Sequence, residues 1–392
     1  MPEKTEIIRH RRISKILLAT LVAVLSWTPG VGAIETIARQ AILMDATTNT
    51  ILFAKDASTE MIPASMTKMM TAHLVFEHLR DGRLSLDDTF IVSENAWRKG
   101  GAKSGSSTMF LEPRSRVRVE DLLRGIIIQS GNDACIVIAE GLGGSESAFA
   151  EEMTRRARAL GLSKTTFKNT TGWPEEGHIS TAHDLAILAK HTLQTFPEFL
   201  HFYSEKSFTY NGIKQGNRNP LLYRDPTVDG LKTGHTNESG YGLTASAKRG
   251  DRRLILVVNG LTSTKKRSRE SGRLLEWGFR EFNNYDLFKA GEKVTDADVW
   301  LGQEATVPLL IKEELLITIP RKSRRGMKAK VTYQSPVPAP ITAGTNIATL
   351  TIEAPNMKTR IIPLVAGADV ERLGLRGHLG EALKYILWGS SS

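Results

Sequence analysis

Ser65 and Lys68 stand three residues apart, Ser130-Gly131-Asn132 follows, and Lys232-Thr233-Gly234 comes third along the same chain. A serine hydroxyl is a weak nucleophile at its free pKa, so it attacks a carbonyl only when an adjacent base takes its proton. Lys68 is such a base once uncharged, a state reached by burial or by a neighbouring cation, for which Lys232 is the candidate. Ser130 adds a hydroxyl to relay a proton to a leaving amine. Asn132 adds an amide to hold a substrate backbone, and Lys232 with Thr233 would grip a carboxylate. Gly234 lets substrate lie close against the strand. Each fragment alone is weak, since Ser-x-x-Lys recurs at Ser263 and Lys266 and Ser-x-Asn at Ser93 and Asn95. Ser130-Gly131-Asn132 is also ordinary loop composition. The three in order describe an acyl-transfer enzyme.

The elements that must position these groups can be read from periodicity and turn residues. Residues 36–54 alternate as two strands around the turn Asp45-Ala46-Thr47-Thr48-Asn49, and Pro63 leads into a helix carrying Ser65, where its missing N–H is harmless. Residues i and i+3 share a helix face, which puts the Ser65 hydroxyl within reach of Lys68 and aims unpaired N–H groups at a developing oxyanion. Residues 119–160 and 181–194 read as mostly helical. Strands follow over 241–247 and 254–259, joined at Gly250-Asp251, and then a helix through Trp277. The expected fold is α+β, an antiparallel sheet flanked by helices. From about Asn284 short alternating segments punctuated by Pro336, Pro338, Pro340 and Gly344 predict a small all-β sandwich domain. The expected organisation is a signal peptide over 1–33, a catalytic domain over 34–284, a β domain over 285–370 and an amphipathic helix and tail over 371–392.

The segments Ile62-Pro63-Ala64-Ser65-Met66-Thr67-Lys68, Gln129-Ser130-Gly131-Asn132-Asp133-Ala134-Cys135 and Val228-Asp229-Gly230-Leu231-Lys232-Thr233-Gly234-His235-Thr236 resemble serine-type D-alanyl-D-alanine carboxypeptidases, the low-molecular-mass penicillin-binding proteins. Gly212-Ile213-Lys214-Gln215 with Asn217-Arg218-Asn219, and Arg267-x-x-Glu270-Ser271 before Trp277-Gly278-Phe279, extend the likeness. The resemblance implies Ser65 as acyl-enzyme nucleophile, Lys68 as proton acceptor, Ser130 as second proton carrier and Lys232 as carboxylate binder. It implies an oxyanion hole from the backbone N–H groups of Ser65 and His235, with Arg218 and Arg267 near the terminal carboxylate. Arg267 also sits three residues before Glu270, the spacing of a helix-surface ion pair, so both readings of it stand. The implied substrates are peptidoglycan stem peptides, and the implied inhibitors are β-lactams. The reaction is removal of the terminal D-Ala from the pentapeptide; endopeptidase action on crosslinked peptides and weak β-lactamase activity are the alternatives.

Other chemistries lack their residues. Gly240-Tyr241-Gly242-Leu243-Thr244-Ala245 fits a dinucleotide pattern but precedes the extended run Leu254-Ile255-Leu256-Val257-Val258 rather than a helix. No His-Glu-x-x-His, P-loop or Gly-x-Ser-x-Gly occurs, so no metal and no cofactor are expected. His183-Asp184 lies among Leu185, Ile187 and Leu188 and reads as packing. Cys135, the single cysteine, reads as a buried core thiol.

Arg9, Arg11, Arg12 and Lys15 precede an apolar run over 16–25 and Val31-Gly32-Ala33, the pattern of a secretory signal peptide. Leu379, Leu383, Ile386 and Leu387 follow helical spacing with Lys384 opposite, as in an interfacial amphipathic helix. The formal charge is +10, of which the leader supplies +3, five basic against two acidic residues. The remaining surplus suits an anionic membrane face or acidic wall polymers, and no nucleic-acid module accompanies it. An exported, periplasmic protein peripherally attached to the inner membrane is expected.

Overall fold

Residues 34–355 and 357–374 are described by the computed structural model of the chain. The N-terminal alternation forms the hairpin β1 (Gln40–Asp45) and β2 (Thr50–Lys55), turned by Asp45, whose carboxylate accepts from the N–H groups of Thr47 at 3.0 Å and Thr48 at 3.2 Å. The apolar run around Leu256 is the centre of β5 (Arg252–Leu261), which pairs with β1 on one side and β4 (Gly240–Arg249) on the other. The five-stranded antiparallel order is β2-β1-β5-β4-β3, with β3 (Val228–Thr236) at the edge. An edge strand offers unpaired backbone groups to a ligand, and this one carries Lys232-Thr233-Gly234.

Helices α1 (Lys68–Arg80), α2 (Glu94–Gly100), α3 (Asn132–Gly143), α4 (Glu146–Ala159) and α5 (Ala182–Thr195) bury Met69, Val75, Ile136, Met153 and Leu188 against Ile42, Ile255 and Val257 in one core. Helix α6 (Thr264–Glu281) packs so closely on Leu43 and Leu254 that a Cβ on Gly278 would lie 2.6 and 2.9 Å from their methyl groups. The second Ser-x-x-Lys is the start of this helix, because Ser263 Oγ accepts from the Lys266 N–H at 3.1 Å. The helical stretch expected over 119–160 is interrupted twice. Val119–Arg124 continues as the π-helical turn Gly125–Gln129 and breaks at Ser130, and α3 ends at Gly144 in the left-handed region. The Gly240-Tyr241-Gly242 pattern lies in strand β4.

Phe282 opens the all-β part. Strand β6 (Phe282–Phe288) pairs with β9 (Leu315–Pro320). The strands β7 (Lys293–Trp300), β8 (Thr306–Ile311), β10 (Lys328–Tyr333), β11 (Val337–Pro338), β12 (Asn346–Glu353) and β13 (Arg360–Ala366) form a sheet ordered β10-β12-β13-β8-β7-β11. Leu309, Ile317, Ile319, Leu350 and Leu364 from the two sheets share one core. Asp45 ties this part to the first: fully buried, it pairs with Arg252 Nε at 2.7 Å and accepts from Asn284 Nδ2 at 3.4 Å. Arg252 also donates to the carbonyls of Gly278 and Phe282, at 3.1 and 2.8 Å. Removing one partner of such a buried pair costs about 3–5 kcal/mol. The leader and the apolar stripe over 379–387 lie outside the described residues, and among those described no helix is long and apolar enough to cross a membrane.

Candidate active site

Ser65 sits in the tight 3₁₀ turn Ala64–Thr67, which runs straight into α1. In a 3₁₀ turn residues i and i+3 eclipse, so Ser65 and Lys68 align more directly than α geometry would allow. Lys68 Nζ donates to Ser65 Oγ at 3.0 Å, to Asn132 Oδ1 at 2.7 Å and to the Thr171 carbonyl at 2.5 Å, and its side chain is fully buried. The turn is held in a costly conformation. Ala64 has φ +48°, and the facing Gly172 has φ +81° with no space for a side chain, since a Cβ there would overlap the Ala64 carbonyl oxygen. Asn169 fixes that segment by accepting from the N–H groups of Thr171 and Gly172, at 3.3 and 2.8 Å.

Ser130 occupies the break between the π turn and α3, with φ +67°. Its Oγ is buried without a hydrogen-bond partner among the described residues, although the side chain lines the same cleft as Ser65. A buried hydroxyl left unpaired costs free energy, and a substrate atom would satisfy it. Asn132, the first residue of α3, is anchored by its N–H to the Ser107 carbonyl at 2.7 Å. Next to it the buried Asp133 accepts from Thr108 Oγ1 at 2.6 Å and from the N–H groups of Met109 and Leu111, at 3.0 and 3.1 Å. That carboxylate folds the 107–111 segment onto the helix start.

From the opposite wall, β3 contributes Lys232, whose side chain is buried, and Thr233 and Gly234, which line the cleft. Gly234 lines the cleft and faces the nucleophile turn. A Cβ there would lie 2.9 Å from the Pro63 carbonyl oxygen and 3.2 Å from the Ala64 Cβ, so the missing side chain admits the chain's own nucleophile turn. His235 is exposed, its ring tilted over Tyr241 at 3.9 Å between centroids. Arg218 Nη1 donates to Ser107 Oγ at 2.6 Å, and Arg267 Nη2 donates to the Arg218 carbonyl at 3.3 Å. The ion-pair reading of Arg267 fails because Glu270 pairs with Arg273 instead, while Arg267 is buried over the Tyr241 ring. Ser65, Ser130, Arg218, Thr233, His235 and Arg267 thus border one cleft of about 490 Å³.

Lys68, Lys232, Arg218 and Arg267 converge here, and among the described residues none has a carboxylate within 4.0 Å. Burial drives the Lys68 pKa down to about 8, with the Arg218 cation adding to the effect. Lys232 is pushed well below its usual value by burial and by the Lys68 cation, and Arg267 falls to about 10 through burial. Lys68 and Lys232 are close enough that a charge on one disfavours a charge on the other. Three acceptors surround the Lys68 Nζ, whereas the nearest acceptor to Lys232 Nζ is the Thr233 carbonyl at 3.4 Å, an arrangement that favours the charged form at Lys68 over that at Lys232. Cys135 is a buried thiol with its pKa raised to about 12 by burial, an inert core residue. Asp184 accepts from Lys164 N at 2.9 Å and Thr165 Oγ1 at 2.8 Å, so His183-Asp184 is structural.

Sequence reasoning missed Ser107, Thr171, Asp133 and Tyr241, whose contacts span tens of residues and leave no local spacing to read. The signal nearest to hand was the Ser106-Ser107-Thr108 cluster ahead of the apolar Met109.

A family model described as D-alanyl-D-alanine carboxypeptidase matches residues 28–263, and one described as penicillin-binding protein 5, C-terminal domain, matches 282–372. The chain is 39% identical over 359 residues to D-alanyl-D-alanine carboxypeptidase DacC of Escherichia coli (strain K12), covering 90% of each. The structure of penicillin binding protein 5 from Haemophilus influenzae superposes with a TM-score of 0.77 at 36% identity, covering 88% of this chain and 100% of that one. Penicillin-Binding Protein D2 from Listeria monocytogenes, in a cefotaxime-bound form, matches with a TM-score of 0.55 at 31% identity over 63% of this chain and 99% of that one.

Proposed function

The chain belongs to the D-alanyl-D-alanine carboxypeptidase family, and on that premise we propose that Ser65 is the nucleophile with which it removes the terminal D-Ala of the peptidoglycan pentapeptide. The observation that carries this assignment is the convergence of the basic side chains of Lys232, Arg218 and Arg267, which lack carboxylate partners among the described residues, on the Ser65–Lys68 pair. A cleft so charged fits a substrate that ends in a carboxylate. Arg218, Arg267, Lys232 and Thr233 receive that carboxylate, which draws a proton onto Lys232. The new ammonium then favours loss of the proton from Lys68. Ser65 Oγ bonds to the carbonyl carbon of the penultimate D-Ala as its proton passes to Lys68 Nζ, and the N–H groups of Ser65 and His235 face the developing oxyanion. The C–N bond breaks as the Ser130 hydroxyl protonates the leaving nitrogen and is reprotonated by Lys68. Free D-Ala departs, and water attacks the ester with Lys68 again as base. Asn132 orients both Lys68 and the acyl-side amide. β-Lactams enter the same sequence through their strained amide and stop at the ester.

The test is direct: purified protein incubated with diacetyl-Lys-D-Ala-D-Ala releases D-Ala in proportion to enzyme, and this release is blocked by prior treatment with a penicillin. Absence of D-Ala release under conditions where penicillin still labels the protein would refute the carboxypeptidase assignment.

Export through the N-terminal leader and peripheral attachment to the inner membrane through the 379–387 stripe complete the reading, with the basic surplus drawn to anionic lipid. A stripe this short binds reversibly. Truncation after Val370 therefore leaves carboxypeptidase activity intact while moving the protein from sedimenting anionic vesicles into the supernatant. Equal vesicle binding by the truncated and full-length forms would eliminate the tail as the anchor.

A further inference from the structure

The β domain has a catalytic end and a far end. Strand β13 begins at Arg360, level with Ile352 of β12 and Ala329 of β10, where the turn over 321–326 leads into β10 and Arg321 donates to the Phe279 carbonyl at 3.3 Å. It ends at Ala366, roughly 20 Å away along a strand of 7 residues. Past that point Val370 bridges Ile341, Arg372 bridges Gly302, and the Leu373 N–H donates to the Leu301 carbonyl at 2.9 Å. The last described residues therefore leave the domain at its far end. They do so beside Trp300, the final residue of β7, which is 55% exposed.

The sheet edge next to Trp300 refuses another strand. β11 pairs with β7 in parallel, Val337 with Val299 and Pro338 with Trp300, and the Ala339 N–H donates to the Trp300 carbonyl at 2.9 Å. Successive backbone groups in a strand point to opposite sides, so position 338 faces the open edge. It is an exposed proline, and the exposed Pro336 and Pro340 that flank it have no N–H either. A protein partner adding a strand finds no donors there. Residues 334–346 also contain no charged side chain, which leaves the indole beside an uncharged, proline-rich rim. Such a site suits a bilayer interface, where the ring lies among apolar groups while its N–H stays wet.

We infer that the far end of the β domain is a lipid contact in its own right, with Trp300 inserting at the headgroup level of the membrane surface. The inference deepens the peripheral attachment proposed above, adding to the tail a contact made by the folded domain. Its chemistry is apolar. Glu304 and Glu371 are exposed at the same corner, where the Gln303 N–H donates to the Glu371 carbonyl at 2.8 Å, and they outnumber the exposed Arg372. Attraction of basic groups to anionic lipid is therefore not what this corner supplies. Its contribution survives high salt, whereas an electrostatic one is screened.

The test sediments the chain lacking only its leader with vesicles of phosphatidylglycerol and phosphatidylcholine, at low and high salt. Trp300→Ser lowers the partition coefficient about tenfold, by the same factor at both salt concentrations, and Trp300→Phe, which keeps an apolar ring, lowers it less. Both variants keep the wild-type thermal midpoint and D-Ala release from diacetyl-Lys-D-Ala-D-Ala, because Trp300 is exposed and lies away from the catalytic end. A direct readout is Trp300→Cys carrying an environment-sensitive fluorophore, which reports that position alone because Cys135, the single cysteine, is buried. Its emission shifts to the blue when vesicles are added. Binding by Trp300→Ser equal to wild type, a loss that disappears at high salt, or a label that stays in water overturns the contact. Failure of the tail as anchor is distinct: removal of residues 375–392 then leaves binding unchanged while Trp300→Ser still lowers it.

Discussion

Ser65→Ala abolishes covalent labelling by a fluorescent penicillin and lowers D-Ala release by roughly 10⁶-fold, the scale on which a serine hydrolase loses activity with its nucleophile. The fold survives the change. Ser65 Oγ accepts from Lys68 Nζ at 3.0 Å, but that ammonium keeps Asn132 Oδ1 and the Thr171 carbonyl, so no buried charge is stranded. The 3₁₀ turn is set by Pro63, Ala64 and Gly172, none of which the substitution touches. An unchanged thermal midpoint with no label is therefore the expected pair of observations. Labelling at the wild-type rate, or an adduct mapped to Ser263, refutes the assignment. Ser263 is the competing Ser-x-x-Lys, and its hydroxyl is already engaged in capping α6.

What made Ser65 and Lys68 legible was that their relation is local: a turn of the backbone brings i and i+3 together whatever the rest of the molecule does. The strands around Leu256 and Ile42 were legible for the same reason, since alternation and apolar runs are properties of short windows. Ser130 was readable only as a hydroxyl in loop composition. Its left-handed φ and unpaired buried Oγ depend on the π turn before it, which nothing in Gly125-Ile126-Ile127-Ile128-Gln129 announces. Arg218 and Arg267 were placed by resemblance, and the spacing of Arg267 from Glu270 suggested a false partner that only the packing of α6 against Tyr241 excludes. Gly234 was read for its closeness to substrate, while its closeness to the nucleophile turn was not read. From a sequence, a glycine beside a catalytic motif implies close approach, but whether substrate or the protein's own backbone approaches is a long-range fact. The order in which the two lysines release their protons was likewise out of reach, because it depends on Thr171 and Asn132, 103 and 64 residues from Lys68.

That order decides the second large effect. Burial sets the Lys68 pKa near about 8, so its neutral fraction, and with it the acylation rate at low substrate, rises as pH increases through that value. The sign follows from chemistry: the protonated lysine cannot accept the Ser65 proton, and the neutral one can. Lys68→Arg keeps a cation of similar length but stays protonated across the accessible range, so acylation falls by roughly 10²–10⁴-fold, the contribution of a positioned general base. The residual rate of the variant no longer rises through pH 8. Lys232→Ala behaves differently, raising KM for carboxylate-bearing substrates, because Lys232 acts through the substrate's anion. The discriminating measurement is the pH profile of penicillin acylation for the wild type and Lys68→Arg. If the arginine variant retained the rise, the base would have to be a group other than Lys68. If the wild type showed no group titrating below free lysine, the proton would have to leave Ser65 by a route that bypasses the lysine pair.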